Sequence, residues 1–89
     1  MSRVNTDVEK MDQFLVHLRR FDKSLEDEFR SMIGDWRELG SVWTDDKYHQ
    51  LGKDLTAAAQ GVERYLATAD SHENHLAQLI QRLEDFLRT

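Results

Sequence analysis

The sequence predicts an all-α fold: two long antiparallel helices form a helical hairpin, which dimerises into a four-helix bundle. Apolar residues recur at alternating steps of three and four over most of the chain, which is the spacing of one helix face. The chain has no proline, so nothing in its composition interrupts a long helix. A short segment with a glycine, residues 40–43, separates two periodic stretches. We therefore predict a single helical-hairpin domain over residues 1–89.

The first helix is predicted near residues 6–39. Thr6 and Glu9 have the spacing of a capping box, in which the threonine oxygen accepts a backbone amide at the helix start. Gly40 follows the last periodic residue, as a left-handed C-terminal cap requires. Apolar residues recur at steps of seven at Met11, Leu18, Leu25, Met32 and Leu39. A second apolar position widens this face at Phe14, Phe21, Phe29 and Trp36.

The second helix is predicted near residues 44–88, capped by Ser41 or Thr44. Residues 68–72 are weak helix formers, and Ser71 could cap a third helix there. Because the apolar pattern passes through them in phase, we predict a continuous helix. That pattern comprises Tyr48, Leu51, Leu55, Ala58, Val62, Tyr65, Ala69, His72, Leu76, Leu79, Leu83 and Phe86. A weaker flanking stripe comprises Ala59, Leu66, Ile80 and Leu87.

Packing of the two helices is predicted to bury a core seam. The predicted seam contains Leu18, Leu25, Met32, Trp36, Leu51, Leu55, Val62 and Tyr65. The only polar residue in the pattern of the second helix, His72, is expected to set register or partner choice. Gly52 and Gly61 flank the seam, where a missing side chain either permits close helix approach or is tolerated at an exposed position.

A dimer interface follows from the predicted lengths of the helices. The second helix is expected to extend about ten residues beyond the first. Leu83, Phe86 and Leu87 would lie on this overhang, so we predict that a second chain covers them. The full predicted interface contains Leu76, Leu79, Ile80, Leu83, Phe86, Leu87, Phe14 and Phe21.

Composition argues against several classes of function. The net charge of -5 lacks the basic excess of a nucleic-acid binder. His72 and His75 share a helix face, but a zinc site needs three or four ligands, so no metal or other cofactor is expected. Adjacent carboxylates diverge around a helix, and Ser24, Ser31 and Ser41 have no histidine at a spacing that suggests activation. We expect a non-enzymatic protein without a small-molecule substrate.

The location of the chain is predicted from its apolar content. No stretch reaches the roughly 20 apolar residues of a membrane span, and the acidic balance disfavours a membrane-surface helix. No cysteine is present, and the N-terminal residues lack the apolar run of a signal peptide. We expect a cytoplasmic protein, or one exported without a signal peptide.

Trp43 lies in the predicted turn, outside both apolar patterns. One interpretation is that its side chain folds over the end of the bundle and plugs it. The other is that it anchors a partner, since tryptophan is enriched at binding hot spots. One side chain could do both in different states.

The turn resembles that of the WXG-type superfamily of small helical hairpins, related to the early secretory antigenic target proteins. The resemblance covers nearly the whole chain as architecture: a long helix, a turn with Trp43, Thr44 and Asp45, then Tyr48 and a second long helix. Trp43 matches the family tryptophan and Tyr48 lies near its aromatic position, whereas Asp45 replaces the family glycine. The resemblance implies a four-helix bundle and a role as substrate or chaperone-like partner in a specialised, type VII-like secretion system.

The sequence supports two hypotheses of function, which belong to different functional classes. The first is a protein-interaction module whose partners are itself, as a homodimer, and another helical protein. The alternative is a secretion chaperone or obligate heterodimer subunit that folds only with a larger partner. The secretion signal of the family, a tyrosine followed four residues later by an acid, is absent, because Ala69 follows Tyr65 at that distance.

Overall fold

A computed structural model describes the backbone of residues 3–88 and the side chains of residues 6–88. The described chain consists of helix α1, Arg3–Leu39, and helix α2, Asp46–Arg88, and these residues contain no strand. The all-helical hairpin predicted from the apolar pattern is confirmed. Residues 1, 2 and 89 of the predicted domain lie outside the described residues. Over residues 3–88, neither helix has a stretch long and apolar enough to cross a membrane.

Both helices begin at residues other than those predicted. α1 already includes Arg3, so Thr6 lies inside the helix and the predicted capping box at the helix start is wrong. α2 begins at Asp46, two residues after the predicted start. The residue before it, Asp45, is the N-cap: its side-chain oxygen Oδ1 accepts the backbone amide of Tyr48 at 3.1 Å. Neither Ser41 nor Thr44 has that role.

Two further local predictions can be compared with the backbone. α2 runs without a break through residues 68–72, so the continuous helix is confirmed and no third helix begins at Ser71. No residue in the described chain, glycine included, has a positive φ, so Gly40 is not a left-handed cap. Its amide instead bonds to the carbonyl of Arg37 at 3.1 Å, which tightens the last turn of α1.

The chain divides into two compact units. The terminal unit comprises the described residues of Met1–Asp22 and Thr68–Thr89, and the turn unit comprises Lys23–Ala67. In each unit a segment of α1 packs against a segment of α2. The core of the terminal unit is a cluster of Val8, Leu15 and Ile80. Four partly buried side chains pack against this cluster: Met11, Leu76, Ala77 and Leu83.

This cluster corrects the predicted overhang. Leu83 was expected to lack a partner within its own chain, but it packs against the cluster of the terminal unit. Ile80 is buried there and Leu76 is partly buried, so these predicted dimer-interface residues belong to the core of the hairpin. The physical reason is the register of the two helices: Leu15 packs with Ile80, so the earlier part of α1 around Val8 lies beside Leu83.

At every second seam position of α2, the residue that packs inward is one residue later in the sequence than the predicted residue. The inward residues follow the stripe that the sequence marks as weaker: Gly52, Ala59, Leu66, Glu73 and Ile80 are buried or partly buried. Leu51, Leu79 and His72, one residue earlier in each heptad, are exposed. The prediction of Leu51 as a core residue and of His72 as the polar seam residue is therefore wrong.

In α1, one of the predicted seam residues is also replaced by the next residue in the sequence. Met32 is exposed, so its prediction as a core residue is also wrong, and the neighbouring Ile33 is partly buried instead. The remaining predicted seam residues are all partly buried: Leu18, Leu25, Trp36, Leu55, Val62 and Tyr65. The hairpin thus uses a seam with the predicted period and a partly different set of side chains.

Candidate functional site

The terminal unit has an exposed apolar surface beside its seam. We call it the apolar face and define it as Phe14 and Phe21 of α1 with Leu79 and Phe86 of α2. Their residues are exposed by 57%, 50%, 37% and 69%, respectively. Within each helix the two side chains are seven residues apart and therefore lie on the same side of that helix.

The two halves of the apolar face lie on the same side of the hairpin. Phe14 immediately precedes the buried Leu15, and Leu79 immediately precedes the buried Ile80. In an antiparallel helix pair, the residues that precede equivalent seam positions flank the seam on one side. The four large side chains therefore form one surface, interrupted by the exposed His72 in the same heptad position.

The opposite side of the seam in the terminal unit is mainly polar. Asp12 and Arg19 of α1 and Asp70 and Glu84 of α2 follow seam positions there, together with one small apolar residue, Ala77. Three of these are exposed, and Glu84 and Ala77 are partly buried. The two sides of the unit therefore differ in chemistry, with mainly ionised side chains on one and mainly aromatic and aliphatic side chains on the other. This asymmetry distinguishes the apolar face from scattered surface hydrophobic residues.

Five of the eight residues predicted for a dimer interface are exposed: Phe14, Phe21, Leu79, Phe86 and Leu87. The other three, Leu76, Ile80 and Leu83, contribute to the cluster within the chain. The sequence pattern placed all eight in one group because adjacent stripes on a helix differ by only 100°. Only the packing of the hairpin separates the buried stripe from the exposed one.

A carboxyl pair interrupts the apolar seam of the terminal unit. Asp22 is only 6% exposed and occupies a seam position seven residues after Leu15. Glu73 lies seven residues before Ile80, which packs with Leu15. Its carboxyl group therefore faces that of Asp22 one heptad along the seam, and the two can form a hydrogen bond when one of them is protonated. The Glu73 side chain is 15% exposed, and its Oε1 lies 3.5 Å from Nε of Arg19. Sequence reasoning missed this pair, although Glu73 is in phase with the weaker stripe of α2.

The surroundings of Glu73 favour its protonated form. The hydrogen bond with Asp22, partial burial, and the negative charges of Asp22 and Asp70 raise the pKa of Glu73 above its ordinary value of 4.5. The guanidinium group of Arg19 acts in the opposite direction. Arg19 is half exposed, so solvent screens its ion pair with Glu73.

The histidine pair and the carboxylates do not assemble a metal site. His72 and His75 are both exposed on α2. Among the residues that the structure describes, no three His, Cys, Asp or Glu side chains are grouped so that they could hold an ion.

The turn unit has an open groove of about 690 Å³. Its lining includes the apolar residues Phe29, Ile33, Val62 and Leu66, with Arg30 and Glu63 among its charged residues.

Trp36 and Tyr48 join the two helices of the turn unit. Their rings stack 4.6 Å apart at an interplanar angle of 9°. Tyr48 Oη donates a hydrogen bond to the Trp36 carbonyl at 2.8 Å, and Trp36 Nε1 donates to the Tyr48 carbonyl at 3.2 Å. This reciprocal arrangement fixes both the rotation of α2 and its height against α1 next to the turn.

The same contact completes the end of α1. The last four carbonyls of a helix have no partner in the helix itself. Here Tyr48 Oη bonds to the Trp36 carbonyl, and backbone amides of residues 40–43 bond to the carbonyls of Arg37, Glu38 and Leu39. Every terminal carbonyl of α1 therefore has a donor, so the turn is specified by hydrogen bonds as well as by stacking.

Tyr48→Phe tests this contact. The change removes only the hydroxyl that donates to the Trp36 carbonyl and leaves the stacked ring in place. We expect the free energy of unfolding to fall by about 0.5–1.5 kcal/mol, the usual contribution of one hydrogen bond. Urea denaturation followed by circular dichroism measures it. An unchanged denaturation midpoint would contradict a stabilising role for the hydroxyl.

Trp43 and Asp45, the predicted turn motif with Tyr48, lie together. Trp43 Nε1 donates to Asp45 Oδ1 at 2.8 Å, the same oxygen that caps α2. The Trp43 and Tyr48 rings are 5.4 Å apart, and Trp43 is partly buried. Trp43 thus packs beside the turn on Tyr48 and Asp45. That it plugs the end of the bundle and that it anchors a partner both stay predictions.

The chain matches no known protein family, no curated protein and no solved structure at a significant level.

Proposed function

We propose that this chain is a non-enzymatic protein-interaction module whose apolar face binds a second copy of the chain. The observation that carries the proposal is the apolar face, with three exposed phenylalanines and a leucine on one side of a single seam. Burial of one such side chain contributes about 1.5–3 kcal/mol relative to exposure. A contiguous exposed apolar surface on a small hairpin is typical of a binding surface.

A second copy is supported by the distribution of charge. Two identical chains each carry a net charge of -5, so an interface rich in carboxylates would be repulsive. The four residues of the apolar face include no carboxylate. Asp12, Asp70 and Glu84 lie on the opposite side of the seam, and Asp7, which precedes Val8, lies at the end of the apolar face. A two-fold axis through the apolar face brings like apolar surfaces together, as in most homodimers.

The resulting assembly is a four-helix bundle. Two hairpins each contribute a stripe beside an existing seam, which is how antiparallel bundles extend their core. The resemblance of the turn around Trp43 to the WXG-type superfamily supports the same assembly and a role linked to a type VII-like secretion system. Within this proposal, Leu87, beside Phe86 at the end of α2, extends the interface.

Phe14→Asp tests the proposed dimer. Size exclusion coupled to light scattering is expected to give twice the chain mass of 10.5 kDa for the wild type. The aspartate would place a charge in an apolar interface, so the variant is expected to be a monomer at the same concentration. Circular dichroism should show that it stays helical, because Phe14 faces away from the cluster around Leu15.

Val16→Asp is the matched control, since Val16 is an exposed apolar residue of the same helix but lies outside the apolar face. It should remain a dimer. A wild type that stays monomeric at every concentration would contradict the homodimer. In that case the obligate-heterodimer alternative would be tested next, by titration with candidate helical partners.

A further inference from the structure

One layer in the seam of the terminal unit is formed by carboxyl side chains instead of apolar ones. The layer of Leu15 and Ile80 is closed by aliphatic side chains, whereas seven residues further inward Asp22 faces Glu73. Both are at least partly buried, at 6% exposure for the Asp22 residue and 15% for the Glu73 side chain. Two carboxylates in contact cannot both be ionised without a large electrostatic cost.

The charges around this layer do not balance. From α1, Arg19 and Asp22 face Glu73, and from α2, Asp70 lies on the same side. With every group ionised, three carboxylates surround one guanidinium group, and that group is half exposed. Addition of one proton to the pair converts a repulsive contact into a hydrogen bond between a carboxylic acid and a carboxylate.

We propose that Asp22 and Glu73 form a proton-sharing pair that makes the packing of the terminal unit tighter in mildly acidic solution than at neutral pH. The pair therefore acts as a pH-dependent element within the hairpin. The proposal does not depend on the dimer, because both carboxyl groups lie in the seam within one chain.

The sign of the effect follows from proton linkage. The native state holds the Glu73 proton more tightly than the unfolded chain, so the stabilisation is complete below the ordinary pKa of Glu73 and is lost as pH rises through its raised native pKa. The terminal unit is thus stabilised as pH falls from neutrality toward the ordinary glutamate range, about 4.3.

The first experiment measures the titration directly. Carbon-detected NMR of the full chain should show the Glu73 carboxyl group titrating at a pH above its ordinary value of 4.5. In the Asp22→Asn variant, the Glu73 titration should move down toward the ordinary range, since the partner charge is gone. If Glu73 titrates at its ordinary value in the wild type, the proposal is wrong.

A second experiment measures the consequence for stability. Glu73→Gln retains the shape of the side chain and cannot ionise. Its denaturation midpoint should exceed that of the wild type near neutral pH, and the difference should shrink in acid. For Glu28→Gln, a change at an exposed position, the denaturation midpoint should change with pH in the same way as that of the wild type. If the denaturation midpoints of Glu73→Gln and the wild type differ by the same amount at every pH, the proposal is wrong.

Discussion

Leu15→Ala is expected to lower the free energy of unfolding by about 2–5 kcal/mol, the usual cost of truncating a buried leucine. Leu15 is only 4% exposed and packs with Val8 and Ile80 in the core of the terminal unit. A chain of this size has a small core, so the loss is a large part of its total stability. Chemical denaturation followed by circular dichroism measures the change.

Val16→Ala is the control for this prediction. Val16 is the next residue along α1 and is exposed by 42%, so its truncation leaves no cavity. Because alanine is the better helix former, we expect a neutral or slightly stabilising change. Equal losses for the two variants would mean that the stripe containing Leu15 does not face α2 in solution.

Gly52→Ala is expected to destabilise the chain by about 2–3 kcal/mol through overpacking. A Cβ atom at residue 52 would overlap the six-membered ring of Trp36. The ring cannot move aside easily, because it is stacked on Tyr48 and its Nε1 is hydrogen bonded to the Tyr48 carbonyl. The loss therefore outweighs the gain of about 1 kcal/mol that alanine normally gives over glycine inside a helix.

Gly34→Ala is the matched control. A Cβ atom at Gly34 meets nothing within 4 Å, so only the helix propensity changes. We expect this variant to be more stable than the wild type by about 0.5–1 kcal/mol. The two substitutions are chemically identical and should shift the thermal midpoint in opposite directions. A stabilised Gly52→Ala protein would rule out the close contact with Trp36.

Gly52 also explains the displaced seam of α2. Leucine at residue 51 is the more hydrophobic choice for an inward position, and a sequence pattern ranks it above glycine. The large ring of Trp36 needs the space next to the turn, and only glycine leaves that space. Once Tyr48 and Gly52 face Trp36, Leu51 points to solvent. Glycine and a bulky partner form a complementary pair that hydrophobicity counting does not detect.

The helical class, the end of the first helix at Leu39 and the continuity of the second helix are predictable without knowledge of the packing. Absence of proline, a sustained heptad period and a short turn are local properties, and they act whatever the helices pack against. The resemblance of the turn to the WXG-type superfamily also grouped Trp43, Asp45 and Tyr48, and these residues lie together in the structure.

Tertiary packing selects which of two adjacent stripes is buried. Phe14 and Leu15, or Leu79 and Ile80, are neighbours of similar hydrophobicity, and helix periodicity cannot choose between them. The choice depends on contacts between residues distant in sequence, such as Leu15 with Ile80 and Trp36 with Gly52. Within the terminal unit, the contact of Leu15 with Ile80 leaves Phe14 and Leu79 exposed. It also brings Asp22 against Glu73, since all of these follow from which side each helix segment turns toward the other.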